Sequence, residues 1–305
     1  MRLFSLGAPI TAGIVLLSAC GSSDTSSSTA GGGASSTTPS SAAQATFTCA
    51  TGSLSASGST ALQPLVQAAV SAYQAKCPGA TITVAGGGSS TGLGNVAHGI
   101  SDIGNSDVPV SFAKTIDAST VTDHQVAVAQ FAVIANPKTG VTNLTLAQIQ
   151  QVFSGQVTNW KAVGGNDVPV TLIERKPGSG TRLTFDTDVM NGTTESATPA
   201  ATQDSTTLVV QGVLAADGGV SYATVGSAGS LTIVTIAGST PSVGDINSGK
   251  YPFFSHEHMY TKGTGSALAQ DFINFMMSKQ FEATVLGQHY VPTSEITVQS
   301  KVDKA

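Results

Sequence analysis

Charge is scarce in this sequence. Only 10% of its 305 residues are charged, and the formal net charge is −5. No Lys/Arg stripe runs through it, which argues against a nucleic-acid partner and against a basic membrane-binding face. Ser, Thr, Asn, Gln and Gly must cover the surface instead. Long apolar runs are missing too. The run ending in Ile14-Val15-Leu16-Leu17 is too short, and too broken by Gly and Pro, to favour a membrane span. No Lys-Ser/Thr follows a Gly-rich loop, so there is no P-loop, and no dinucleotide fingerprint with a matching acidic residue is present. No repeat of solenoid period is visible. Cysteine is rare, with three copies.

What is present begins with an export signal. Residues 1–19 carry one basic residue, Arg2, then an apolar core and small residues, which reads as a secretory signal peptide. Leu17-Ser18-Ala19-Cys20 resembles the bacterial lipobox, in which the cysteine is lipidated and becomes the first mature residue. An ordinary cleaved signal with a chance Cys20 is the alternative. Residues 20–45 are almost entirely Ser, Thr, Gly and Ala, with Asp24 as their only charge. Such a segment cannot bury enough apolar surface to fold and serves as a tether for a lipid-anchored domain. If Cys20 is lipidated, Cys49 and Cys77 remain. In an exported chain they are a candidate disulfide, pinning the first strand to the end of the first helix. Two buried free thiols are the alternative. Two cysteines are too few for a metal site, and none is expected.

From residue 47 onward apolar runs and turn residues alternate, over roughly 260 residues, enough for one large domain or two ordinary ones. Leu62, Leu65, Val66, Ala69, Val70 and Tyr73 fall on one face of a helix, with Ser59 or Thr60 as N-cap and Cys77-Pro78-Gly79 as the stop. Strands are expected over 46–56, 82–85, 126–135, 168–173, 220–223 and 231–236. Thr145 and Gln148 form a capping-box pair. Helices are expected at 208–215 and, in one piece, at 267–281, with Lys279 on the same side as Leu268. Residues 191–205 read as loop. The alternation of strand, loop and helix is that of an α/β fold.

Three Ser/Gly-rich loops sit between a strand and a helix: Gly58-Ser59-Thr60-Ala61, Gly88-Ser89-Ser90-Thr91 and Gly178-Ser179-Gly180-Thr181. A helix N-terminus offers unpaired N–H groups and the positive end of the helix dipole. Glycine lets backbone approach a ligand, and a hydroxyl adds a donor. With Arg175 just upstream of the third loop, the three suggest convergence on one anion. Gly88-Ser89-Ser90-Thr91-Gly92 also matches the loose nucleophile-elbow pattern, and His256, His258 and His289 lie late in the chain. A serine esterase or phosphatase using Ser89 or Ser90 is therefore a competing expectation.

At these residues the chain resembles the phosphate-binding proteins of bacterial ABC importers, the PstS family. The resemblance covers residues 57–282. Its motifs are Gly58-Ser59-Thr60, Gly86-Gly87-Gly88-Ser89-Ser90-Thr91-Gly92, Ser106-Asp107-Val108-Pro109, Phe153-Ser154-Gly155 with Asn159-Trp160, Arg175-Lys176-Pro177-Gly178-Ser179-Gly180-Thr181-Arg182 and Ser248-Gly249-Lys250-Tyr251-Pro252. It implies a two-lobed, type II periplasmic-binding-protein-like α/β fold with a ligand cleft between the lobes. Lobe 1 would be residues 46–130 and 255–305, and lobe 2 residues 131–254. It also implies an extracytoplasmic, monomeric receptor with no catalysis and no cofactor. Such a receptor delivers inorganic phosphate to a permease and ATPase in the membrane.

Carried over by position, Ser59, Thr60, Ala61, Ser89, Ser90, Asp107, Arg175, Ser179, Gly180 and Thr181 would bind phosphate, Ala61 through its backbone alone. The family often has Gly where Ser90 stands, which leaves the choice between Ser89 and Ser90 open. Arg182 would be a second cation or a structural ion pair. Near neutral pH phosphate keeps a proton and sulfate keeps none, so an ionised Asp107 accepts a hydrogen bond from one and repels the other. Such a mismatch is worth ~10³-fold or more. Binding of sulfate or molybdate, or a fold retained for sensing or adhesion, are the further alternatives. His256-Glu257-His258 is expected on the surface of a crossover strand, Trp160 in lobe-two packing, and Asp186 and Asp188 solvated or dipole-stabilised in the first turns of a helix.

Overall fold

The computed structural model describes residues 46–305. The signal peptide, Cys20 and the tether over 20–45 lie outside the described residues. Eleven strands and eight α-helices follow in α/β order. The strands are β1 (Gly52–Gly58), β2 (Ala80–Ala85), β3 (Ile103–Ser106), β4 (Val121–Ala135), β5 (Asn143–Leu144), β6 (Thr171–Arg175), β7 (Ala201–Gln203), β8 (Gly219–Thr224), β9 (Thr232–Ile236), β10 (Phe254–Lys262) and β11 (Tyr290–Val291). The helices are α1 (Gln63–Lys76), α2 (Ser89–Ala97), α3 (Leu146–Phe153), α4 (Gly180–Phe185), α5 (Thr206–Ala215), α6 (Val243–Asn247), α7 (Ala267–Met276) and α8 (Lys279–Gly287). A π-helical turn over Asp186–Met190 continues α4.

The sheet order is β2-β1-β3-β10-β4-β8-β6-β7. β1 runs parallel to β2 and β3, and β6 runs parallel to β7 and β8. The 15-residue β4 joins the two parallel sets. It pairs with β10 from Val121 through Gln130, and with β8 from Phe131 through Ala135. Ten consecutive residues of this strand, 126–135, include nine that are buried, as the apolar run required. The carboxyl ends of β1, β2 and β6 lead into the Gly/Ser-rich loops, and that of β3 leads into Asp107. In open α/β sheets these strand ends are where ligands are held.

Local chemistry explains the helix ends. Leu65, Val66, Ala69 and Tyr73 bury one face of α1, a gain of about 1.5–3 kcal/mol for each of the larger apolar side chains. Tyr73 packs edge-on against Phe272 and Phe275 of α7. Thr145 and Gln148 form the capping box of α3. Cys49 and Cys77 are joined in a disulfide, with Cα atoms 5.0 Å apart.

Several elements differ from the sequence reading. The first strand starts at Gly52, because Cys49 has φ 63° and the N–H groups of Thr48 and Ala50 go to Asp271. α1 starts at Gln63, one turn after Ser59. The Ser59 hydroxyl still accepts from the N–H groups of Ala61 and Leu62, both at 3.0 Å. The expected helix over 267–281 is two helices. Ser278, with ψ 152°, breaks it, and Lys279 then points outward to Glu282. The polar stretch 191–205 contains β7, an edge strand of three residues paired to β6. Asp188 is buried, accepting from the N–H of Val302, so it is not a solvated first-turn acid, while Asp186 stays part-exposed and pairs with Arg182.

Candidate functional site

Asp107, directly after β3, is 1% exposed. One carboxylate oxygen accepts from the Ser59 hydroxyl and the other accepts from the Thr181 hydroxyl at 2.8 Å. Its own N–H donates to Ser89 Oγ at 3.0 Å. Arg175, at the end of β6, is also 1% exposed. It donates to the Thr60 hydroxyl at 3.0 Å, and to the Thr206 hydroxyl and the Asp204 carbonyl, both at 3.4 Å. Its Nε is buried with no acceptor. Burial pulls the guanidinium below its ordinary pKa, against the fields of Asp107, Tyr222 and Asp204.

Glycine permits this convergence. A Cβ added at Gly88, whose φ is 88°, would sit 3.0 Å from the Gly178 carbonyl, and Ser90 N–H donates to that same carbonyl at 3.1 Å. The α4 start therefore lies directly against the α2 start. Ser179 caps α4 through Arg182 N–H, and buried Gly180 touches Ser89. Ser89 is fully buried and faces Asp107, whereas Ser90 is exposed at the rim beside Gly178. A surface cavity of 330 Å³ adjoins Thr60 and Thr206 on the outer side.

Arg182 is spent elsewhere. It pairs with Glu195 at 2.5 Å, Glu174 at 3.6 Å and Asp186 at 3.7 Å, and it donates to the Arg175 carbonyl. One guanidinium cannot offset three carboxyls in a low-dielectric setting. Burial pushes Glu174 up to about 7 and Glu195 up to about 8. Of the two sequence readings for Arg182, this geometry is the structural ion pair.

The chemistry is that of an anion trap: a buried guanidinium, a ring of hydroxyls and three helix starts, with a carboxylate among them. The model of the PBP superfamily domain matches residues 31–280. The phosphate-binding protein PstS of Bacillus subtilis (strain 168) is 37% identical over 254 residues, covering 82% of this chain and 83% of that protein. The chain belongs to the PstS family.

Solved structures bear the same relation. A Clostridium perfringens substrate-binding protein assigned to phosphate ABC transport, solved with bound phosphate, superposes with a TM-score of 0.72 at 25% identity. The match covers 79% of this chain and all of that one. An ABC-type phosphate transport receptor from Vibrio cholerae shares the fold, with a TM-score of 0.63 at 24% identity over 78% of this chain and 99% of that one.

Sequence reasoning missed two participants. Thr206, at the start of α5, accepts from Arg175, and its N–H donates to the Thr60 hydroxyl at 3.2 Å. Ser205-Thr206-Thr207 at a helix start was the available signal. Asp204 contributes its carbonyl. The His256-Glu257-His258 segment is buried, not superficial, because β10 is paired on both edges, by β3 and β4. A register shift between Glu257 and His258 interrupts the strand alternation. His256 pairs with Asp303 and His258 with Asp123, each at 2.8 Å. Trp160 is buried and donates to the Gly218 carbonyl at 3.0 Å, a packing role.

Proposed function

We propose that this chain captures inorganic phosphate in a cleft between two lobes and delivers it to an ABC importer. The observation that carries the reading is the burial of one cation, Arg175, and one carboxylate, Asp107, among hydroxyls drawn from distant loops. Ser59, Thr60, Ala61, Ser89, Gly180 and Thr181 supply donors from helix starts, with Ser179 as the α4 cap. Ser90 contributes at the rim. When phosphate enters, the Ser59 and Thr181 hydroxyls turn from Asp107 to the anion, and Asp107 accepts the phosphate proton. Sulfate and molybdate offer no such proton.

Lobe 1 is assigned to residues 46–130 and 255–305 and lobe 2 to 131–254, with the change of β4 partners between Gln130 and Phe131 in support. Closing the lobes brings the two halves of the site together. The protein acts as an exported monomer, tethered through lipidated Cys20 beside its permease and ATPase. It performs no catalysis: His256 and His258 face Asp303 and Asp123, and Ser89 Oγ accepts from backbone.

Calorimetry on the mature domain, unfolded and refolded to strip bound anion, tests the reading. Saturable phosphate binding that sulfate barely competes is expected, and Arg175→Ala removes it. A stripped, refolded protein with no phosphate heat refutes the proposal.

A further inference from the structure

Glu257 is the carboxyl in this fold for which the anion site, as described so far, has no use. It lies on β10, 0% exposed, and neither of its oxygens has a donor. Asp107, itself a carboxylate, lies beside it: the antiparallel pairing of β10 with β3 sets His258 opposite Ser106, and so Glu257 next to the residue that follows β3. Two carboxylates in such contact cannot both be ionised without a cation between them. The other groups facing Glu257 are acids as well: Asp303 from the C-terminal segment and Tyr290 of β11. Its neighbours His256 and His258 turn their Nδ1 atoms to Asp303 and Asp123.

The contact assigns the proton. Asp107 already accepts from the Ser59 and Thr181 hydroxyls and feels the field of Arg175. Glu257 has none of these partners. We propose that Glu257 is a protonated carboxylic acid that donates to Asp107, positions it, and holds this pair at a single negative charge. The inference rests on the phosphate-site reading above.

The consequence is an acceptor count. A carboxylate has about four acceptor positions. Before the anion enters, Ser59, Thr181 and Glu257 take three; once the two hydroxyls turn to the anion, Glu257 is the donor that stays on Asp107 beside the ligand's proton. Glu257 thus acts through Asp107 in selecting an anion that carries a proton. Burial and the neighbouring acids both hold its proton on. When alkaline pH removes it, a second negative charge appears behind the bound anion and affinity falls.

The test uses infrared spectroscopy and calorimetry on the whole mature domain. With ¹³C-labelled glutamate, the wild type at neutral pH shows a protonated-carboxyl C=O component beyond those of Glu174 and Glu195, and Glu257→Gln loses that component. The glutamine amide can still donate to Asp107 and cannot titrate. Glu257→Gln therefore keeps neutral-pH phosphate affinity within about threefold. Above the pH at which Glu257 loses its proton, the wild type loses up to about tenfold more affinity per pH unit than the variant. Phosphate's own titration is common to both proteins and cancels. A protonated-carboxyl band that Glu257→Gln leaves unchanged, or superimposable affinity–pH profiles, overturns the proposal. If Glu257→Gln does not fold, Glu257→Leu, which needs no hydrogen-bond partner, takes its place in the infrared comparison. If the wild type binds no phosphate, the site reading fails, and the infrared result still decides whether Glu257 holds its proton.

Discussion

Gly180→Ala tests whether the closed cleft is the binding state. Gly180 opens α4 with an ordinary helical backbone, so alanine brings no backbone strain there. Its new methyl would collide with Ser89 Oγ and lie 2.8 Å from Asp107 Cβ and 2.9 Å from Ser89 Cβ. Neither Cβ is the free end of a flexible chain. Ser89 is further held by Asp107 N–H. Overpacking of this kind costs about 1–3 kcal/mol. In the proposed two-lobed reading, Gly180 belongs to one lobe and Ser89 and Asp107 to the other, so opening relieves the clash. The whole cost then falls on the liganded state, and the phosphate Kd rises about 5- to 100-fold. Thermal unfolding without phosphate stays unchanged. Calorimetry measures the first effect, and small-angle scattering shows reduced contraction on adding phosphate. Gly94→Ala is the control. Its added Cβ meets nothing within 4 Å, so affinity holds and α2 gains up to about 1 kcal/mol. A Gly180→Ala Kd within twofold of wild type would refute the reasoning.

Asp107→Asn should narrow the phosphate-over-sulfate preference from ~10³-fold, because the amide can donate to an unprotonated anion; an unchanged ratio in competition calorimetry removes Asp107 from the selectivity role. Stability should fall as pH rises from about 4 to 8. Burial raises Glu174 and Asp188 to about 7 and Glu195 to about 8, so the folded state binds more protons than the unfolded chain across that window. His124, which burial holds below its ordinary value, works the other way, but it is one group against three. A Tm higher at pH 8 than at pH 5 contradicts this account. Cys49→Ser opens a loop spanning 28 residues and should cost about 3–4 kcal/mol in urea unfolding; a loss under about 1 kcal/mol means the disulfide does not constrain the unfolded chain.

Much of the site was legible because its parts are local. Each Gly/Ser loop marks a strand end followed by a helix start, and loop, cap and helix face sit within a dozen residues of one another. The apolar run of β4, the capping box at Thr145 and the buried face of α1 follow the same logic. Where local signals conflict, the reading failed. A helical apolar pattern continued past Ser278, but the serine took an extended backbone and began α8. β7 is three residues on a sheet edge, too short and polar for periodicity to register.

The sequence alone determined the α/β class, the anion chemistry and the family, since these depend on residue type, spacing and the order of motifs. Tertiary structure decided how those pieces share charge. Arg182 lies seven residues from Arg175 but is committed to Glu174, Asp186 and Glu195. Glu257 is 150 positions from Asp107 and meets it only because β10 lies beside β3. Sequence spacing carries no record of which strands become neighbours, and a buried carboxyl's protonation depends on whatever charges those neighbours bring.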